Sequence, residues 1–368
     1  MKNTGIKRIL SLCIAAVLVF ALCACGGTPT PAQGTGSTNA ADNAQSTTET
    51  PKDQIVIRYS HSNGTSDDDM NQQCALKFAE LVDEYTNGAI RVDIYPAAQL
   101  GDEVECFGAC GLDSQEVAAG AITNYVSYSP SMTVLTLPYI FENIDIARGF
   151  FHDEMDYLAD ISVKQANSRI LAIACPAARE LTTVKEVHTL ADMKGMKVRV
   201  PSTQPMIDCY TAWGASPQIV AWGETYTALE QGVAEAQDNP IWVLIDNRLA
   251  EVQNYVVNTS YIMQPNAIVM SEDFYQRLTP EQQEAVTRAA REACVYFEQL
   301  GDEAYVKYQK LAEDEGVEFL GTPEDIDQWI ELARGIWSNS YETIGAGDTA
   351  YAEEIVGYIQ SYGENFGK

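Results

Sequence analysis

The chain has 368 residues, of which 46% are apolar and 20% are charged, so it is long enough for two ordinary domains and has the composition of a folded globular protein. Its 52 acidic and 23 basic residues give a formal net charge of −29, which argues against binding to nucleic acid or docking on anionic lipid. The three histidines form no H-x-x-x-H pair, and no P-loop, dinucleotide or G-x-S-x-G motif occurs. We therefore expect no metal site and no cofactor.

Three basic residues near the start of the chain precede 16 uncharged residues, positions 9–24. A run of this length is short for a membrane span and is typical of a signal peptide. It ends in Leu22-Cys23-Ala24-Cys25, which resembles a bacterial lipobox with Cys25 as the lipidated residue. We therefore predict a lipoprotein signal peptide over residues 1–25, with an ordinary cleaved secretory signal as the alternative.

The next segment, residues 26–52, contains no large apolar side chain and is rich in Thr, Ala, Gly and Pro. Such a segment has nothing to bury in a core, so we predict a flexible tether. A coil of about 25 residues has a root-mean-square span of about 25–30 Å. A lipid-anchored domain on this tether would stand clear of the membrane surface.

A strand, a helix and a second strand are predicted at the start of the globular body, over residues 54–60, 70–85 and 90–95. The central segment repeats apolar residues at helical spacing, whereas the flanking segments are rich in Ile, Val and Tyr. A βαβ opening of this kind favours a mainly parallel sheet with helices on its faces.

Arg199 is predicted at the carboxyl end of a strand. Met196, Val198 and Val200 alternate with charged residues, and Pro201 ends the strand. Ligands of open α/β sheets collect at this edge, so the position of Arg199 is notable.

A long helix is predicted from Thr279, the N-cap, with Pro280 at the first helical position. Its apolar stripe continues for about 30 residues to Gly316, well beyond the usual length of a globular helix. This length suits an element that crosses between two lobes.

Six cysteines follow the signal region: Cys74, Cys106, Cys110, Cys175, Cys209 and Cys294. An even number permits disulfides outside the cytoplasm, but the apolar neighbours of most of them also suit a place in the core. Their pairing is left open at this stage.

Four blocks of sequence carry a family resemblance: YPAAQLGDE (95–103), KGMKVRVPSTQ (194–204), WGASPQIVAWGETYTALEQGVAEAQDNP (213–240) and the helix start at Thr279. Over about residues 54–320 the chain resembles the substrate-binding proteins of tripartite ATP-independent periplasmic (TRAP) transporters. The resemblance implies an α/β, two-lobed, periplasmic-binding-protein-like fold with hinge strands and a long helix spanning both lobes. Lobe 1 would be residues 53–177, completed by about 266–304, and lobe 2 would be 178–265, completed by about 305–368.

The resemblance also implies a substrate-binding site. Arg199 matches the arginine that pairs with the substrate carboxylate, and a guanidinium offers a rigid fork of donors that fits a carboxylate. The other implied positions are Arg179, Asn239, Trp222, His61, Asn63, Glu103 and Asn266. From the residues alone, Trp222 and Trp242 suit either an apolar wall for a ligand or a place in the core.

The expected function is that of an extracytoplasmic receptor, not an enzyme. It would be lipid-anchored to the cell membrane, capture a small organic acid between its lobes and deliver it to a polytopic TRAP membrane transporter. An exported hydrolase that depends on two carboxylates and a sensory module that presents its ligand to a receptor are the alternatives.

Overall fold

Eleven β-strands and thirteen α-helices form residues 54–368, the part of the chain that the computed structural model describes. The strands are β1 (Ile55–Ser60), β2 (Ile90–Tyr95), β3 (Val117–Ala121), β4 (Ser168–Ala174), β5 (Glu180–Thr183), β6 (Lys197–Val200), β7 (Ser216–Ile219), β8 (Ala236–Asn239), β9 (Tyr255–Val257), β10 (Asn266–Ser271) and β11 (Glu318–Gly321). The helices are α1 (Met70–Tyr85), α2 (Glu103–Gly111), α3 (Ile122–Tyr125), α4 (Ile144–Asp153), α5 (Met155–Ala166), α6 (Gln204–Ala212), α7 (Thr225–Glu230), α8 (Ile241–Asp246), α9 (Glu272–Arg277), α10 (Pro280–Asp314), α11 (Ile326–Gly335), α12 (Tyr341–Ile344) and α13 (Thr349–Asn365).

The predicted signal peptide with Cys25 and the predicted tether, residues 26–52, lie outside the described residues. Among residues 54–368, no helix combines the length and the apolar character that a bilayer span requires.

The strands form two sheets, and each is mixed rather than mainly parallel. The first has the order β2-β1-β3-β10-β4 and the second the order β11-β9-β5-β8-β6-β7. In the first sheet, β10 runs antiparallel to both of its neighbours; in the second, β5 does the same. The prediction of a mainly parallel sheet was therefore wrong.

The path of the chain between the sheets explains the two reversed strands. The chain passes from β4 in the first sheet to β5 in the second, and returns from β9 to β10. Asn266, the first residue of β10, pairs with Ala121 and Ala174, the last residues of β3 and β4. A strand that enters from the other sheet thus begins at the edge where its neighbours end, so it must run the opposite way.

The first helix and the long helix begin as their sequences indicate. The side chain of Asp69 accepts hydrogen bonds from the backbone N–H groups of Asn71 and Gln72, and so caps α1. Thr279 and Gln282 form a reciprocal capping box at the start of α10, with Pro280 in the first turn. These local contacts satisfy backbone donors that a helix start leaves unpaired.

Helix α10 packs along both sheets. Its buried residues share one apolar cluster with Ile57 and Phe78 beside the first sheet and with Val256 of the second. This confirms the expectation of a long helix that spans both lobes.

The end of the chain returns to the first sheet, which corrects the assignment of residues 305–368 to the second lobe. Ile355, Val356 and Ile359 of α13 are buried in the same apolar cluster as Phe150 and Phe151 of α4. Only the earlier part of this segment, with β11 and α11, packs with the second sheet. The aromatic and aliphatic face of α13 finds a matching apolar surface on α4, and its burial there determines the position of the C-terminal helix.

The first segment that joins the sheets, residues 175–179, is held against α10. Arg148 Nε donates to Cys175 O at 2.8 Å, and the Cys175 N–H donates to Glu298 Oε1 at 2.9 Å. A Cβ at Gly301 would lie 2.0 Å from Pro176 O, so only glycine permits this approach. The segment is therefore anchored before the chain enters the second sheet.

All six cysteines of residues 54–368 are buried and free, so within this part of the chain they are core residues and form no disulfide. Burial raises the pKa of the Cys74 thiol to about 12, which keeps that thiol protonated and unreactive at neutral pH.

Candidate functional site

A cavity of about 70 Å³ lies where the edges of the two sheets face each other. We call it the inner chamber, and it is lined by Asn63, Asn71, Glu103, Ala121, Thr123, Asn124, Arg179, Arg199, Pro201, Trp222, Asn239, Pro240, Trp242, Val243, Gln264 and Asn266. A second space of about 320 Å³ adjoins it and shares five of these residues. We call this second space the outer chamber; its remaining lining is Ser62, Ala98, Asp102, Val104, Ser202, Ile219, Val220, Ala221 and Gly223.

Arg199 stands at the junction of the two chambers, because it lines both. It is the third residue of the four in β6, and its side chain is 4% exposed. Its Nε donates to Val220 O at 3.0 Å, and its guanidinium carbon lies 5.6 Å from the centre of the Trp222 ring.

The charge of Arg199 has no carboxylate partner at ion-pair distance within residues 54–368. Burial, and next the positive charge of Arg179, lower the pKa of Arg199 to about 10. A cation held in this way is poorly solvated, and the negative charges of Asp238 and Glu103 compensate it only in part. A bound anion would supply the direct partner that it lacks.

Arg179 also lines the inner chamber, but a carboxylate of the protein neutralises it. Its Nε lies 2.5 Å from Asp238 Oδ2, and its Nη1 donates to Gln264 Oε1 at 2.6 Å. The Tyr261 hydroxyl donates to the same Asp238 oxygen at 2.7 Å. Burial lowers the pKa of Arg179, but the attraction of Asp238 and Tyr261 and the hydrogen bond to Asp238 together outweigh that effect and leave the pKa raised overall. The two arginines are therefore not equivalent, and the unpaired cation is Arg199.

Asn239 lines the inner chamber from the second sheet, and Glu103 lines it from helix α2, which packs on the first sheet. Asn239 ends β8, and its Nδ2 donates to Gln237 Oε1 at 2.6 Å. Glu103 begins α2 and accepts hydrogen bonds from Ala121 N at 3.0 Å and Asn124 Nδ2 at 2.8 Å. Burial raises the pKa of Glu103, and the hydrogen bond from Asn124 opposes that shift.

Glycine at position 120 allows Glu103 to reach this place. A Cβ at Gly120 would lie 2.5 Å from the carboxyl carbon of Glu103, so a larger residue in β3 would displace that carboxylate.

Of the predicted residues Asn63, Asn266 and His61, the first two line the inner chamber, whereas His61 does not. His61 borders a smaller cavity of about 20 Å³, which shares Asn71 and Asn266 with the inner chamber. Its Nδ1 accepts from Asn63 N–H at 3.3 Å, so its Nε2 carries the proton and donates to Gln72 Oε1 at 2.8 Å. Burial lowers the pKa of His61, which favours this neutral form. His61 thus holds the Asn63 loop in place instead of touching the chamber.

Several polar residues of the inner chamber were not predicted: Asn71, Thr123, Asn124 and Gln264. Asn71 stands in the first turn of α1, and Thr123 and Asn124 lie in the short helix α3. An asparagine or threonine near a helix start is ordinary capping chemistry, so nothing in the local sequence distinguishes these residues.

The comparisons with known proteins all identify solute-binding proteins as similar to this chain. The model of the DctP family, described as bacterial extracellular solute-binding protein, family 7, matches residues 60–344. A TRAP periplasmic solute-binding protein of Rhodobacter sphaeroides, solved in an open state without ligand, is 32% identical, with a TM-score of 0.73 over 84% of this chain and 100% of that one.

Two further proteins extend the comparison. The 2,3-diketo-L-gulonate-binding periplasmic protein YiaO of Escherichia coli is 27% identical over 70% of this chain and 78% of its own length. A TRAP solute-binding protein of Roseobacter denitrificans, solved with bound L-galactonate, is 24% identical, with a TM-score of 0.73 over 84% of this chain and 98% of that one, a likeness that shows the fold. The family and these relatives are binding proteins, not enzymes. The chain belongs to the DctP family of bacterial extracellular solute-binding proteins, the receptors of TRAP transporters.

Proposed function

We propose that this receptor binds a small organic acid between its two sheets, with the ligand carboxylate on Arg199, and delivers it to a TRAP-type membrane transporter. The observation that carries this proposal is a buried guanidinium that borders both chambers and has no carboxylate partner in residues 54–368. A carboxylate that enters the chambers would accept charge-assisted hydrogen bonds from it, and exclusion of water would strengthen them.

The remaining lining supports an acid that carries several hydroxyl groups. Six side-chain amides line the inner chamber: Asn63, Asn71, Asn124, Asn239, Gln264 and Asn266. An amide both donates and accepts, as a hydroxyl does, so an amide-rich wall suits a polyhydroxylated chain. The amides of Asn63, Asn71 and Asn266 make no side-chain hydrogen bond in the described part of the protein and are thus available. The name of the related 2,3-diketo-L-gulonate-binding protein is in keeping with a sugar acid.

A hydrolytic function finds less support in the site. Glycoside hydrolysis uses two facing carboxylates, whereas the two that line the chambers in residues 54–368, Asp102 and Glu103, are consecutive residues at the start of α2, and Asp102 caps that helix. Glu103 fits better as an acceptor for a ligand hydroxyl, since it already accepts from Asn124 and Ala121.

The direct test is a thermal-stability screen of the protein purified without its first 25 residues and refolded from denaturant to remove any carried ligand. Sugar acids such as L-galactonate and D-glucuronate would be compared with neutral sugars and simple dicarboxylates. A ligand at 100 times its Kd should stabilise the folded state by about 2.7 kcal/mol and raise the melting temperature. Stabilisation by neutral sugars alone would contradict the proposal, and chemical conversion of the ligand would indicate an enzyme.

We also propose that a lipid on Cys25 anchors the receptor to the cell membrane. In cells, the Cys25→Ser protein should leave the membrane fraction for the soluble extracytoplasmic fraction, because two or more acyl chains are needed for stable anchoring. The measurement is fractionation followed by detergent extraction. A wild-type protein that is already soluble would contradict the anchor and leave an ordinary cleaved signal.

A further inference from the structure

The indole of Trp242 is an exception among the buried tryptophans of residues 54–368. The side chains of Trp213, Trp329 and Trp337 are buried, and each donates its Nε1–H, to Trp329 O at 3.0 Å, to Asp325 Oδ1 at 2.9 Å and to Pro138 O at 2.9 Å. Trp242 is 4% exposed, and its Nε1–H has no partner in the described part of the chain. A buried donor without an acceptor is destabilising, so its presence requires an explanation.

The position of Trp242 at the inner chamber explains its unpaired N–H. Trp242 is the second residue of α8, two positions after Pro240, and it lines the inner chamber together with Asn239 and Pro240. Its ring packs against Phe297 of α10, with ring centres 6.1 Å apart and planes at 61°. The ring belongs to the apolar core beside α1 and α10, so it is fixed and cannot turn its N–H toward bulk water.

Trp242 and Arg199 also differ in the space that each borders. Arg199 lines both chambers, whereas Trp242 lines the inner one and not the outer. A ligand with its carboxylate on Arg199 at the junction would reach Trp242 with the part of its carbon chain that enters the inner chamber.

We infer that Trp242 is a specificity-determining residue whose Nε1–H donates a hydrogen bond to a hydroxyl or carbonyl oxygen on the carbon chain of the ligand. This inference rests on the proposed function and adds a second recognition point to it. An acid with an oxygen at that carbon satisfies the buried donor, and an acid without it leaves the donor unpaired. Sites built to bond a substrate hydroxyl discriminate strongly against analogues that lack it.

The test uses Trp242→Phe, which removes the N–H and keeps an aromatic ring in the core. Trp213→Phe is the matched control, since it removes a buried indole N–H in the second lobe, outside both chambers. Isothermal titration with L-galactonate, D-glucuronate and a set of their monodeoxy analogues gives Kd for each protein. We expect Trp242→Phe to weaken binding of the fully hydroxylated acids by about 10-fold to 100-fold, as the loss of a buried hydrogen bond implies. For the deoxy analogue that lacks the oxygen bonded by Trp242, the variant and the wild type should have equal Kd values.

A second measurement does not depend on the stability of the variant. In the wild-type protein, the ¹H–¹⁵N spectrum contains indole signals from five tryptophans, and the Trp242 signal should move downfield and exchange more slowly when an acid binds. Unchanged affinities in Trp242→Phe together with an unmoved indole signal would overturn this inference. If Arg199→Ala still lost binding in that case, the proposed function would stand without it, whereas a wild type that binds no acid would remove both.

Discussion

Replacing Arg199 with alanine should weaken binding of the organic acid by at least about a hundredfold, because removal of one partner from a buried ion pair costs about 3–5 kcal/mol. The guanidinium is 4% exposed and meets no carboxylate of the protein at ion-pair distance in residues 54–368. Asp238 and Glu103 attract it only from a longer range, so the ligand would supply the carboxylate that pairs with it directly. Titration calorimetry with the best acid from the stability screen is the measurement.

In the ligand-free protein, replacing Arg199 with alanine should not lower the free energy of unfolding through loss of a favourable charge interaction. Arg199 is a buried cation next to a second one, Arg179, and both burial and that repulsion disfavour its charged form. Arg199→Lys should bind with intermediate affinity, since an ammonium keeps the charge but lacks the planar fork. Arg91→Ala, which breaks a surface pair with Asp93, is the control and should leave binding unchanged. Full binding by Arg199→Ala would contradict the assigned role.

Replacing Asp238 with alanine should lower the free energy of unfolding by about 3–5 kcal/mol, the range expected when a buried ion pair loses one member. Asp238 is 1% exposed and Arg179 is 3% exposed, so neither can be solvated when its partner is removed. The loss would also free the Tyr261 hydroxyl from its acceptor and leave two buried arginines close together. Urea denaturation without ligand measures the change.

The control for Asp238 is Asp93, which makes the same kind of contact with Arg91 at the protein surface. Asp93→Ala should change stability little, because exposed ion pairs are screened by solvent. The double variant Arg179→Met/Asp238→Leu should recover much of the stability that Asp238→Ala loses, since it removes both charges together. Equal effects of Asp93→Ala and Asp238→Ala would show that the buried pair is not essential to the fold.

The features that the sequence predicted best are those that depend on residues close together in the chain. The helix over residues 70–85 and the strand over 90–95 have the predicted bounds, because spacing of apolar side chains and turn residues determines such elements within a few residues. Arg199 was placed at a strand end by the alternation before Pro201. The family resemblance rested on equally continuous blocks of sequence, and the match over residues 60–344 confirms it.

The features that the sequence left undetermined depend on partners far apart in the chain. Arg179 pairs with Asp238 because β5 and β8 are antiparallel neighbours, a register that neither strand specifies alone. The return of α13 to the first sheet likewise depends on an apolar surface some 200 positions earlier, on α4. His61 and Trp242 are both buried at or beside the site, and the sequence does not distinguish their roles. Their contacts do: His61 is hydrogen-bonded and supports a loop, whereas the Trp242 N–H has no partner in the described residues. The sequence by itself determined the bounds of individual elements, the family and the place of Arg199 near a strand end, since these follow from short-range patterns. The tertiary structure decided which charges are neutralised and which donors remain free, because those depend on how distant segments pack.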